Sequence, residues 1–97
     1  MIRVSVQGNT TRVVPDGNLD MNGITELQGI LEKSAALGEV AVDLSEVKTL
    51  SSSAIGALIA GHNALRVSGR RLRIDGTSDG IRHLMHLMGL DRHFEIA

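Results

Sequence analysis

The stretch Val40-Ala41-Val42-Asp43-Leu44-Ser45, followed by Leu50-Ser51-Ser52-Ser53-Ala54-Ile55-Gly56-Ala57-Leu58, decides how this chain folds. Its first part is apolar with almost no alternation, the pattern of a central strand covered on both faces. Its second part sets three hydroxyls ahead of Ile55, Leu58, Ile59 and Leu65, which fall on one helical stripe. Serine suits that junction, because its oxygen accepts a backbone N–H that the first helical turn leaves unpaired. A strand that runs directly into a helix is the building unit of an α/β fold, with the helix crossing over to a parallel neighbour.

On the N-terminal side, Ile2, Val4 and Val6 alternate with Arg3, Ser5 and Gln7, the period of a half-buried strand. Gly8-Asn9-Thr10 supplies turn chemistry and Thr11-Arg12-Val13-Val14 resumes in extended form, which predicts a hairpin ended by Pro15-Asp16-Gly17. Asp20 or Asn22 can cap a helix carrying Ile24, Leu27 and Leu31 inward, with Leu37-Gly38 as its exit. On the C-terminal side, Gly69 closes the second helix and Arg71-Leu72-Arg73-Ile74 alternates as a strand nearer an edge. Ser78 or Asp79 begins a third helix with Ile81, Leu84, Met85 and Met88 inward. Gly89 stops it, and Leu90 makes the apolar contact that follows a glycine exit. Phe94-Glu95-Ile96 returns as a short strand or tucks against the core. The expected order is β-β-α-β-α-β-α-(β): one α/β domain over residues 1–97, with a mixed, mostly parallel sheet of 4–5 strands, an N-terminal hairpin and helices packed on the sheet.

Composition narrows the function. The chain has 97 residues, a formal net charge of −1 and a single aromatic, Phe94, so neither a global field nor stacking faces favour nucleic acid. Cysteine is absent, which removes disulfides, thiolate chemistry and cysteine-held metals. The alternating N-terminus lacks the apolar centre of a signal peptide, and no apolar run approaches the roughly 20 residues of a membrane span. A cytoplasmic protein without membrane insertion is the expectation. No phosphate-cradling glycine loop is present and no cofactor is implied.

Ser51, Ser52 and Ser53 support three readings. As caps they stabilise a strand-to-helix turn. As phosphate acceptors they sit where the positive end of the helix dipole tolerates a group of about −1.5 to −2 charges. As nucleophiles they lack the glycines two residues before and after that a hydrolase elbow requires, and no triad spacing is visible.

These residues also carry a family resemblance. Gly17-Asn18-Leu19-Asp20, Val42-Asp43-Leu44-Ser45, Ser51-Ser52-Ser53-Ala54-Ile55-Gly56, and the tail from Ile81-Arg82-His83-Leu84 through Met88-Gly89-Leu90 to Phe94 and Ile96 resemble, in order and spacing, STAS domains of the anti-sigma-factor antagonist family. The resemblance implies a non-enzymatic partner switch that binds an anti-sigma factor or related histidine-kinase-like serine kinase and is reset by a serine phosphatase. It implies phosphorylation at Ser52, with Ser53 and Ser51 as the fallbacks. It also implies a partner surface of Asp20, Ser51, Ser52, Ser53, Ala54 and Gly56, Asp20 matching an acidic residue near the phosphorylated one. Two residues depart from the family pattern: Ser51 replaces an aspartate and Ala54 a glycine. The alternative is a constitutive STAS subunit of a larger assembly, such as a lipid-transport complex, in which Ser52 is unmodified.

The remaining polar clusters read as structural. His83 and His86, three apart on the third helix, and His62 and His93 elsewhere are expected at the surface rather than on a metal. Arg66, Arg70, Arg71 and Arg73 are expected to form a solvated face around the Gly69 turn, and Met85 and Met88 to belong to the core. Gly56 and Gly61 within the second helix signal close approach by a packed element or by a partner.

Overall fold

A computed structural model describes residues 1–17 and 19–96; Asn18 of the Gly17–Asp20 segment lies outside them. Strands β1 (Ile2–Gln7) and β2 (Thr10–Pro15) form the expected antiparallel hairpin. Helix α1 (Met21–Ala35) crosses to β3 (Glu39–Asp43), α2 (Ser52–Arg66) to β4 (Arg73–Asp75), and α3 (Asp79–Leu87) to β5 (Glu95–Ile96) through a short 3-10 turn at Leu90–Arg92. The sheet order is β1-β2-β3-β4-β5, parallel from β2 onward.

Three crossovers of the same hand, each stepping one strand in the same direction, leave every helix on one face of the sheet. Leu27 and Leu31 of α1, Leu58 and Leu65 of α2, and Ile81 and Met85 of α3 accordingly share one core with Val13, Val42 and Ile74. The capping residues are Asp20, whose carboxylate accepts the Gly23 N–H at 2.8 Å, Ser51 and Ser78. Gly89 stands at φ +71°, and Leu90 after it is buried, as its spacing from the third helix predicted.

The single helix layer changes how β3 is covered. Val40 and Val42 face the helices, but Ala41, only 1% exposed, faces the opposite side, where there is no helix. Its register partners there are Arg12 on β2 and Arg73 on β4. The Arg12 guanidinium reaches across β3, donating to Asp43 at 2.6 Å and to Asp75 on β4 at 3.0 Å. Partial burial pushes the Asp43 carboxyl up, but hydrogen bonds from Ser45 and the charge and hydrogen bond of Arg12 outweigh it and hold the group below its usual range. An apolar run thus came from one layer of helices and the two flanking arginines, Arg12 and Arg73, with their carboxylate partners, not from two layers. Gly76 seals the end of this network: its φ is +60°, and a Cβ there would stand 2.8 Å from Asp43 Oδ1.

Other expectations also shift. β1 alternates as read, yet Val4 and Val6 are exposed, because no helix follows β1 to cover it and α1 begins its layer over β2 and β3. Ile59 is off the buried stripe, which runs Ile55, Leu58, His62, Leu65. Met88 follows the last turn of α3 and is half exposed rather than inward. His62 is buried, not at the surface.

The arginine cluster is dispersed. Arg70 pairs with Glu39 and Arg73 with Asp75, while Arg71 donates to the carbonyl oxygens of His93 and Phe94 at 2.8 and 2.9 Å, tying the tail to the sheet. Among the described residues no helix is long and apolar enough to cross a membrane.

Candidate interaction site at the start of the second helix

The loop after β3 positions the serines. Gly17, at φ +64°, donates its N–H to the Glu46 carbonyl at 3.0 Å and bridges to Val47, which is buried. That contact draws the segment ahead of α1 against the segment ahead of α2. Leu19 and Leu50 then pack on one small apolar cluster of Ile24, Ala54 and Ala57. The residues following them in sequence, Asp20 and Ser51, are the caps of the two helices. The structure therefore brings Asp20 and the serine run to one end of the molecule.

The three hydroxyls are not equivalent. Ser51 Oγ accepts the Ala54 N–H at 3.1 Å and is the cap of α2. Ser52 and Ser53 are the first two helical residues, are exposed, and their hydroxyls have no protein hydrogen-bond partner among the described residues. No histidine or carboxylate hydrogen-bonds any of the three among those residues, so the base that a nucleophilic serine needs is not in place. Ser53 also lines a shallow groove between the helices with Met21, Thr25 and Gln28 of α1.

Aspartate and serine are about equally good helix caps. Ser51 in place of the family's aspartate therefore keeps the cap and removes only a charge. Ala54, in place of a glycine, is 1% exposed and packs with Ile24 and Ala57, so its side chain belongs to the core and not to a contact surface. Asp20 serves α1 with one carboxylate oxygen and remains at the surface.

The two glycines of α2 resolve differently. A Cβ at Gly61 would stand 2.9 Å from Leu31 Cβ, so Gly61 lets α1 and α2 pack closely. A Cβ at Gly56 would meet nothing within 4 Å. Gly56 follows Ser52 by four residues and Ser53 by three, so it lies beside them on an open helix face.

This fold and this arrangement of caps define a small α/β domain. The chain belongs to the STAS domain family: residues 2–96 match the family model described as "Mlab, STAS domain". Similar folds include the anti-sigma factor antagonist SpoIIAA in its unphosphorylated form (15% identity, TM-score 0.84, all of this chain and 88% of that one). The Bacillus cell fate determinant SpoIIAA in its phosphorylated form is similar as well (14% identity, TM-score 0.81, all of this chain and 91% of that one). An anti-sigma factor antagonist from Mycobacterium paratuberculosis aligns at 24% identity and TM-score 0.83, over 99% of this chain and 83% of its own. No curated protein matches the sequence.

Proposed function

We propose that the protein is a non-enzymatic partner switch of the anti-sigma-factor antagonist type, with Ser52 as the phosphate acceptor. The observation that carries the reading is the division of labour among the hydroxyls. Ser51 is engaged in capping, while Ser52 stands exposed and unengaged at the positive end of a 15-residue helix. A phosphate at that first position interacts favourably with the helix dipole and leaves the cap intact. Structures of SpoIIAA in unphosphorylated and phosphorylated forms align with this chain at TM-scores of 0.84 and 0.81, so a fold of this kind accommodates either state.

The partner is an anti-sigma factor or related histidine-kinase-like serine kinase, opposed by a serine phosphatase. Its docking surface is Asp20, Ser51, Ser52, Ser53 and the bare backbone at Gly56, where a partner can approach closely. Phosphate on Ser52 would add charge and bulk at the centre of that surface and release the partner. The setting is cytoplasmic, and residues 1–97 form one STAS-like domain.

The test is phosphate incorporation with the cognate kinase, mapped by mass spectrometry, together with partner capture by wild type, Ser52→Ala and Ser52→Asp. Incorporation lost in Ser52→Ala, and capture retained by Ser52→Ala but lost by Ser52→Asp, is the expected result. Undiminished incorporation in Ser52→Ala moves the acceptor to Ser53 or Ser51. Equal capture by all three forms overturns the switch and leaves a constitutive subunit of a larger assembly.

A further inference from the structure

The second half of α2 holds a feature that partner switching does not use. His62 is 4% exposed, and its Nδ1 accepts the backbone N–H of Leu72 at 3.2 Å. That bond fixes the neutral tautomer with the proton on Nε2. Nε2–H has no protein acceptor among the described residues. The ring lines a cavity of about 230 Å³ between α2 and the segment that follows α3. The residue is buried, but this N–H opens onto the cavity, where a ligand or water can accept from it.

The rest of the cavity says which chemistry fits. Phe94 and Leu90 are buried at its base, and Ile59 and Met88, which the helical stripes were expected to bury, stand at its rim instead. Arg66, one turn after His62 on α2, also lines it, and its guanidinium has no carboxylate partner among the described residues. No Asp or Glu lines this cavity. Burial first, and then Arg66, His93 and Arg71, lower the His62 pKa, and among the described residues no carboxylate acts on it. The larger opening on the outer side of α3 differs on this point, since Asp79 and Asp91 line it and His86 is already bonded to Asp91 at 2.8 Å.

We propose that the α2 cavity binds a small carboxylate with a short apolar body. The carboxylate accepts from His62 Nε2–H and pairs with Arg66, and the apolar body rests against Ile59, Met88, Leu90 and Phe94. A volume below the roughly 300–1,000 Å³ of drug-sized sites restricts the ligand to a short chain. The site lies ten residues along α2 from Ser52, about 15 Å at 1.5 Å per residue, and stands independently of the switch reading.

The probe is isovalerate, titrated into the full chain carrying methyl-labelled methionine and labelled histidine, with isovaleramide and isopentylamine as neutral and cationic counterparts. Saturable shifts at the Met88 methyl and the His62 ring, with a Kd of about 1–10 mM, and at least about tenfold weaker binding of both counterparts, are expected. Arg66→Met keeps the apolar stem of an exposed side chain and should weaken isovalerate about tenfold with the spectrum of the fold unchanged. His62→Asn retains an acceptor for Leu72 while removing the Nε2 donor, and should do the same. Absence of saturation up to about 100 mM, equal binding of the amide or the amine, or unchanged affinity in Arg66→Met overturns the proposal.

Discussion

The two ends of α2 are built on opposite principles. Its first turn is open: Ser52, Ser53 and Gly56 are exposed, and the local structure is satisfied by one serine cap. Its second half is closed: Gly61 lies against Leu31, Leu65 is fully buried, and His62 is bonded to the Leu72 backbone just ahead of β4. One helix thus presents a surface whose side chains are free to change and a face whose side chains are held by the whole domain. A modification or a partner can act at the first end without disturbing the fold, whereas any change at the second end is transmitted to the sheet.

The sharpest way to break this comparison is to fill the two glycines. Gly61→Val should destabilise by about 2–3 kcal/mol, because added atoms meet Leu31 Cβ and Cδ1 in the contact between the two helices, where little can give. Denaturant midpoints of the variant and wild type measure it. A midpoint unchanged at Gly61 would mean that the helices are not in close contact there.

The closed end should also be the acid-sensitive one. Burial, reinforced by Arg66, His93 and Arg71, holds the His62 pKa below the ordinary imidazole value. The unfolded chain then binds the proton more readily, near pH 6.5. The stability contribution of neutral His62 is complete above that pH and is lost as pH falls from there toward the folded value. Unfolding measured between about pH 7.5 and 5 should show a steeper loss in wild type than in His62→Asn. Asp43, with its folded pKa depressed, contributes in a separate window. Its stabilisation is complete above the usual carboxylate range and is lost as pH falls through its lowered pKa.

At the open end the effects shrink. Ser51→Ala should cost about 1 kcal/mol through loss of the hydrogen bond to Ala54 N–H, and Ser51→Asp should restore it. Gly56→Ala should stabilise by about 0.5–1 kcal/mol, since its Cβ meets nothing and the helix loses a flexible residue. Ser52→Asp should lie within about 0.5 kcal/mol of wild type by the same denaturant measurement. A large loss in Ser52→Asp would show that the first turn is not as free as its exposure indicates.

How far the sequence carried the reading can be judged residue by residue. The hairpin, the three helix starts and the glycine exits were legible, because each rests on residues close together in the chain. The caps were narrowed only to Asp20 or Asn22 and to Ser78 or Asp79, and the tail to a strand or a tuck against the core. The serine run was visible as a helix start, but three hydroxyls in a row do not say which one caps. That choice depended on where the loop after β3 is held, by Gly17 on Glu46 and by Leu19 and Leu50 on Ile24. His62 gave no pattern to find: it occupies a stripe position that an aliphatic residue would fill, and its partner Leu72 lies ten residues away, just ahead of β4. Ile59 and Met88 were misplaced because periodicity shows which residues share a face but not how far the neighbouring layer extends.

By itself, then, the sequence determined the elements, their order and the parallel crossovers, since caps, periods and glycine turns act locally and act early. Tertiary structure alone decided which faces are covered. Ala41 is buried by an arginine 29 positions before it and another 32 positions after it, Gly61 by a leucine 30 positions before it, and Val6 by nothing, although it alternates as regularly as any buried strand. Burial is set by what arrives from elsewhere in the chain, and a local pattern carries no record of that.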